Sequence, residues 1–202
     1  MKKLAIVGVV LLGLLAGPVF AAKDPQALVE ETSQLMLAKL REEKVLIKAE
    51  PNRIYDLVDQ IIIPHFDFEY MSQMVLAKHW RRASAKQRQA FSEEFKQLLV
   101  RTYATSLNEY ADQEISYLPF RPGSDASQAM VKTEIAQAGG FPIPIDYRLR
   151  ENSGSWLVFD VVIDGVSLVT NYRTTFAKEI RSGDLDALIQ TLAKRNQDTM
   201  SQ

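Results

Sequence analysis

The inventory of side chains able to do covalent or metal chemistry is thin. The chain has two histidines, His65 and His79, and no cysteine, so thiolate nucleophiles, disulfides and cysteine-held metals are excluded. His65, Asp67 and Glu69 alternate as a cation site might require, but they lie across a helix start, beyond which alternate residues point apart. Asp67 is better used as an N-cap, and no metal is expected there. Ser167 follows Gly165 without G-x-S-x-G spacing and without a base nearby in sequence, so capping explains it too. Neither H-E-x-x-H nor a P-loop occurs. A triad built from distant positions would have to use His65 or His79, and no catalytic residue is assigned.

A different chemistry sits between residues 71 and 92. Lys78, Arg81, Arg82, Lys86 and Arg88 fall there with no acid among them, in a chain with 24 basic and 25 acidic residues. They read either as a solvated loop and helix start or as a contact for an anionic headgroup, an anionic membrane surface or an acidic partner. The balance of the whole chain excludes a polycation made for nucleic acid.

The N-terminus places the chain. Lys2 and Lys3 precede an apolar run from Leu4 to Leu15, a Gly17-Pro18 break and Val19-Phe20-Ala21, the pattern of a secretory signal peptide cleaved after Ala21. The run is shorter than the ~20 residues of a membrane span. With no cysteine after it, lipoprotein anchoring is excluded. Cleavage would remove two lysines and no acid, leaving 22 basic against 25 acidic residues, a net charge near −3. Residues 22–202 read as one exported domain stabilised by packing alone.

Periodicity orders the elements. Asp24-Pro25 opens a helix with Leu28, Leu35, Met36 and Leu40; a second follows Pro51 and stops at Pro64; Asp67 caps a third bearing Met71, Met74 and Val75. Ser84 and Gln87 form a capping box for a longer helix striped by Phe91, Phe95, Leu99, Tyr103, Leu107 and Tyr110. From Glu114 the period becomes two, with strands around Ile115, Val131, Ile143–Leu149 and Trp156–Ile163, and with turns at Gly139-Gly140 and Asn152-Ser153-Gly154. Ser167 and Asp184 cap two closing helices. Helices grouped around an antiparallel sheet indicate an α+β fold, with a curved sheet covered by helices. The strand WLVFDVVI is apolar on both faces apart from Asp160, which therefore needs a cap or an arginine for a partner.

Two segments, DVVIDGVSLVTNYRTTF at 160–176 and PHFDFEYMSQMVLAKHW at 64–80, resemble the DVxxxGVSLVxNYRxxF and PxFDFxxMxxxxLxxxW segments of the MlaC, or toluene-tolerance, family of periplasmic phospholipid carriers. The similarity extends more loosely over the mature chain. It implies a helix-covered sheet enclosing an apolar lipid cavity, phospholipid as cargo with no cofactor, and exchange with an inner-membrane ABC complex and an outer-membrane lipoprotein–porin complex that together maintain lipid asymmetry. Taking the matched segments with the apolar stripes, the expected lipid contacts are Phe66, Met71, Met74, Val75, Tyr103, Tyr147, Trp156, Val166, Val169, Tyr172 and Phe176. Tyr110 would complete a ring of hydroxyls. Lys78, Arg81, Arg82, Lys86, Arg88 and Arg173 are the expected partner or headgroup contacts, with an ion pair as the other reading of Arg173. Two rival readings are a periplasmic enzyme dependent on His65, His79 or Asp160, and a chaperone or adaptor with a filled core.

Overall fold

The computed structural model describes residues 24–137 and 139–200, the last three by backbone alone. The signal peptide expected at 1–21 lies outside them. Eight helices and five strands run α1 (Pro25–Glu42), α2 (Lys44–Ala49), α3 (Arg53–Ile61), α4 (Phe68–Leu76), α5 (Lys78–Arg82), α6 (Ala85–Glu109), β1 (Ile115–Tyr117), β2 (Gln128–Ile135), β3 (Ile143–Asn152), β4 (Ser155–Ile163), β5 (Val166–Ser167), α7 (Leu168–Ser182) and α8 (Leu185–Met200). The expected α+β architecture is present. Helices α2 and α5 are additions to it, since six and five residues are too few to display a period.

The caps stand where the sequence places them. Asp24 accepts hydrogen bonds from the Gln26 and Ala27 amides, Asp67 from the Tyr70 amide and Ser167 from the Thr170 amide. Ser84 and Gln87 close a reciprocal capping box, which fixes the start of the 25-residue α6. Asp184 accepts from the Ala187 amide at 2.8 Å.

The sheet is an antiparallel meander in the order β1-β2-β3-β4-β5. Two-residue turns join β3 to β4 and β4 to β5, and in each both residues have positive φ: Ser153 (53°) with Gly154 (84°), and Asp164 (48°) with Gly165 (78°). That geometry matches the twist of the flanking strands. Opposite the β3 step Arg148/Leu149, strand β4 bulges and carries Phe159 as an extra residue. The bulge resolves the puzzle of the two-sided strand. It leaves Val158 and Val161 in the apolar cluster on one sheet face and sends Phe159 into a separate cluster formed by α4, α6, α7 and α8.

Asp160, 1% exposed, is held at this break. It accepts from the Ser167 hydroxyl at 2.6 Å, the Val169 amide at 3.1 Å and Arg148 at 3.3 Å, so it receives both the cap and the arginine that its position demanded. The carboxylate thereby fastens β4 to β3 and to the first turn of α7. Nearby, the Asp67 amide donates to the Val158 carbonyl at 2.9 Å, Arg150 pairs with Asp67 at 3.4 Å, and its guanidinium lies 4.3 Å from the centroid of the Tyr70 ring. The segment entering α4 is thus stitched to β4 and β3.

Removing the Asp160 carboxylate leaves the buried Val169 amide without its acceptor and takes one partner from the half-buried Ser167 hydroxyl and from Arg148. Asp160→Ala is expected to cost about 3 kcal/mol of unfolding free energy, measured by urea titration. A loss under about 1 kcal/mol, the scale of an ordinary exposed pair, would mean the carboxylate does not hold this junction.

Candidate functional site

Three apolar clusters fill the interior. One gathers α4, α6, α7 and α8 around Phe91, Phe95 and Phe176; the second lies on the sheet around Val131, Leu149 and Val161 with Leu28 and Val29 of α1; the third joins α1, α2, α3 and α6 around Leu40, Ile54 and Ala104. They do not close completely on one another. Between them is a cavity of about 400 Å³. Leu28, Val29, Met36 and Leu40 of α1 form one wall, Leu99, Val100, Tyr103 and Leu107 of α6 another, and Ile145, Tyr147, Val158 and Val161 the sheet floor. Ile62, Ile63, His65 and Phe66, the link between α3 and α4, complete it with Phe68 and Met71. Its volume is that of a small-molecule site, and its walls are almost wholly apolar.

Six hydroxyl-bearing side chains line it: Thr32, Ser33, Tyr103, Ser106, Tyr110 and Tyr147. The Tyr103 phenol is hydrogen-bonded to Tyr172, that of Tyr147 to Thr133, and Ser33 lies 2.6 Å from the Tyr117 hydroxyl. Tyr147 has accessible surface, but protein surrounds its phenol; burial, aided by nearby Tyr117 and opposed by the Thr133 bond, pushes that phenol up to about 12. Burial also lifts Tyr103 to about 12, with Tyr172 contributing. The walls being mostly apolar, the cavity takes apolar matter.

Of the eleven expected lipid contacts, Phe66, Met71, Tyr103 and Tyr147 line the cavity. The other seven lie outside that lining. Val75, Val169 and Phe176, each at most 2% exposed, are in the filled helical cluster, because the apolar stripes of α4 and α7 face α6 and α8 as well as the sheet. Tyr172 packs its ring against Phe95 at 5.3 Å and Phe176 at 5.5 Å, and Met74 borders the same cluster. Trp156 packs on the sheet cluster beside the β3–β4 turn, while Val166 in β5 is 56% exposed. The α1 wall and Val161 were missing from the expected set although their periodicity was visible; what was absent was any signal for which stripe borders empty space.

None of the six expected headgroup or partner contacts lines the cavity. Arg173 donates from Nε to the Met74 carbonyl at 2.8 Å, holding α7 to the end of α4, and no ion pair involving it is seen among the described residues. Arg88 donates to the Trp80 carbonyl at 3.0 Å and lies over the Trp80 ring. Lys78, Arg81, Arg82 and Lys86 are exposed. The histidines are apart: His65 lines the cavity, and His79 lines a notch with Arg82, Asp184 and Asp186. Burial, with Lys78 and Arg82 adding, lowers the pKa of His79. No group of three or more His, Asp or Glu side chains suited to a metal gathers among the described residues.

A family profile described as MlaC protein matches residues 30–194. Among characterised relatives, the toluene tolerance protein ttg2D of Pseudomonas putida is 32% identical over 172 residues, 84% of this chain and 80% of that protein. The intermembrane phospholipid transport system binding protein MlaC of Haemophilus influenzae is 27% identical over 172 residues, with the same shares covered. Among solved structures, a phospholipid-binding protein of Ralstonia solanacearum, determined in complex with a phospholipid, superposes with a TM-score of 0.79 at 32% identity, covering 87% of this chain and 98% of that one.

The distinction between filled and hollow regions is testable. Ile145→Trp adds bulk on the cavity floor and is expected to reduce co-purified phospholipid while moving the melting temperature by no more than roughly 4 °C. Val169→Trp overpacks the filled cluster and is expected to cost about 1–3 kcal/mol. Unchanged lipid with Ile145→Trp would remove the cavity from the binding site.

The phenols give a second test. Both have folded-state values above the usual 10, so the stability they contribute is complete below pH 10 and is lost as pH rises through 12. Absorbance titration of tyrosine ionisation should show late-titrating phenols, one fewer in Tyr147→Phe. Titration of all phenols near 10 in the folded protein would contradict their burial.

Proposed function

The chain belongs to the MlaC family, and on that premise we propose that it is a periplasmic phospholipid carrier that shuttles lipid between outer- and inner-membrane complexes and so maintains outer-membrane lipid asymmetry. The observation that carries this reading is the apolar hollow left where the three clusters meet. Burying a methylene is worth ~0.8 kcal/mol, so two acyl chains cost of the order of 20 kcal/mol to expose in water. Sheathing them is the task, and it forms no bond. With walls almost wholly apolar, affinity comes from apolar area and headgroup selectivity is weak.

In this reading residues 1–21 are a cleaved export signal and residues 22–202 the carrier domain. Phe66, Met71, Tyr103 and Tyr147 contact the acyl chains, joined by the α1 wall and by Ile145 and Val161. The membrane complexes are an inner-membrane ABC transporter and an outer-membrane lipoprotein–porin assembly, whose docking triggers uptake or release. An enzyme would depend on His65, His79 or Asp160; the two histidines line different pockets and both Asp160 oxygens are engaged within the fold.

Native mass spectrometry of the exported protein, followed by organic extraction, should release glycerophospholipid with a headgroup distribution close to that of the host membrane. Protein free of phospholipid after gentle purification would argue for a chaperone or adaptor instead, and a single headgroup from a mixed membrane would contradict selection by apolar area.

A further inference from the structure

The exposed cations at the α5–α6 corner are not explained by cargo binding. Lys78, Arg81 and Arg82 follow at three- and four-residue spacing on α5, Lys86 lies in the first turn of α6, and none of the four has an ion-pair partner among the described residues. Arg181, at the end of α7, is exposed as well, and the neighbouring Ile180 and Gly183 share a notch with His79 and Arg82. Two acids edge that notch and temper its charge. Both are engaged: Asp184 caps α8, and Asp186 accepts from the Gln87 side chain at 3.0 Å.

This corner is separated from the cavity by filled structure. Along α6 the first cavity residue after Lys86 is Leu99, thirteen positions or roughly 20 Å away. Along α4 the nearest is Met71, and the buried Val75, Leu76 and Trp80 intervene, within the cluster that holds Phe91 and Phe95. A headgroup belonging to chains in the cavity is therefore not the ligand of these cations.

The composition of the surface selects among other ligands. Specific protein interfaces rely on an apolar centre with aromatic anchors. The large exposed apolar side chains of the described residues are Leu35, Val45, Leu46, Met130, Phe141 and Val166, none of them in this corner, and Trp80 is buried. Long, unpaired cations without an apolar anchor suit a diffuse sheet of negative charge. We propose that the α5–α6 corner is an electrostatic docking surface for an anionic phospholipid bilayer, separate from the cargo cavity. It holds the carrier at a membrane whether or not a lipid is inside, and the protein's net negative charge elsewhere orients this corner toward the bilayer.

The test is sedimentation of the mature protein with vesicles of phosphatidylglycerol and phosphatidylethanolamine, against phosphatidylcholine vesicles. Binding is expected only to the anionic vesicles at low salt. It should fade toward physiological ionic strength, where the Debye length is about 8 Å, and be equal for loaded and delipidated protein. The Arg81→Glu, Arg82→Glu, Lys86→Glu variant should lose binding by tenfold or more, at roughly 1 kcal/mol for each cation near the surface, while keeping its melting temperature and co-purified phospholipid. Undiminished binding by that variant overturns the proposal. So does binding abolished by Phe141→Ser instead, which would place the contact on the β2–β3 connection, and so does absence of binding by the wild type. Because cargo is measured in the same samples, failure here is distinguishable from failure of the carrier reading.

Discussion

Strand β4 is apolar on both faces, and everything around it is arranged to cover both without a second sheet. A regular strand would need one continuous layer on each side. The bulge at Phe159 divides the task, sending Phe159 to the helical cluster while Val158 and Val161 stay over the hollow. The phase change leaves Asp160 inside, where a carboxylate survives only if its oxygens are filled. The turn of α7 fills them, and Arg148 from β3 compensates the charge. One acidic residue in a run of hydrophobic ones thus fixes the angle at which a helix leaves the sheet.

The hollow follows from that geometry. Helix α7 is tied to the β4–β5 end of the sheet and packs against α4 and α6, while α1 lies over β2 as a wall of the cavity; members of all three clusters border the space left between them. A dry hollow is a defect in an ordinary protein, because its lining forfeits dispersion contacts. In a carrier the cargo restores those contacts. In the proposed carrier the same physics leaves affinity to apolar area. The proposed basic corner fits this picture, since a solid core lets a charged surface act without disturbing the cavity.

Much of the fold was legible from residues alone. The capping pairs at Asp67, Ser84 and Ser167 set helix starts, the period change after Glu114 marked the sheet, and Ser153-Gly154 marked a tight hairpin. Asp160 advertised its need for partners. The site was legible only in part, because a residue beside a void and a residue in a filled core have the same type and spacing. Val169 and Phe176 lie in the most recognisable motif and belong to solid packing; Val161 and the α1 wall border the hollow without any distinguishing mark. The basic run carried the same ambiguity until the structure showed Arg88 engaged with the Trp80 carbonyl and Lys78, Arg81, Arg82 and Lys86 without an ion pair among the described residues.

The central claim is that acyl chains occupy the space between α1, α6 and the sheet and nowhere else. Methyl-detected NMR with a phospholipid spin-labelled near its chain terminus tests this directly. Strong broadening of the Ile145, Val161, Leu99 and Val29 methyls, with those of Val75, Val169 and Leu192 less affected, is the predicted result. Equal or greater broadening in the helical cluster, or none at the cavity residues in protein shown to carry the labelled lipid, would contradict the account.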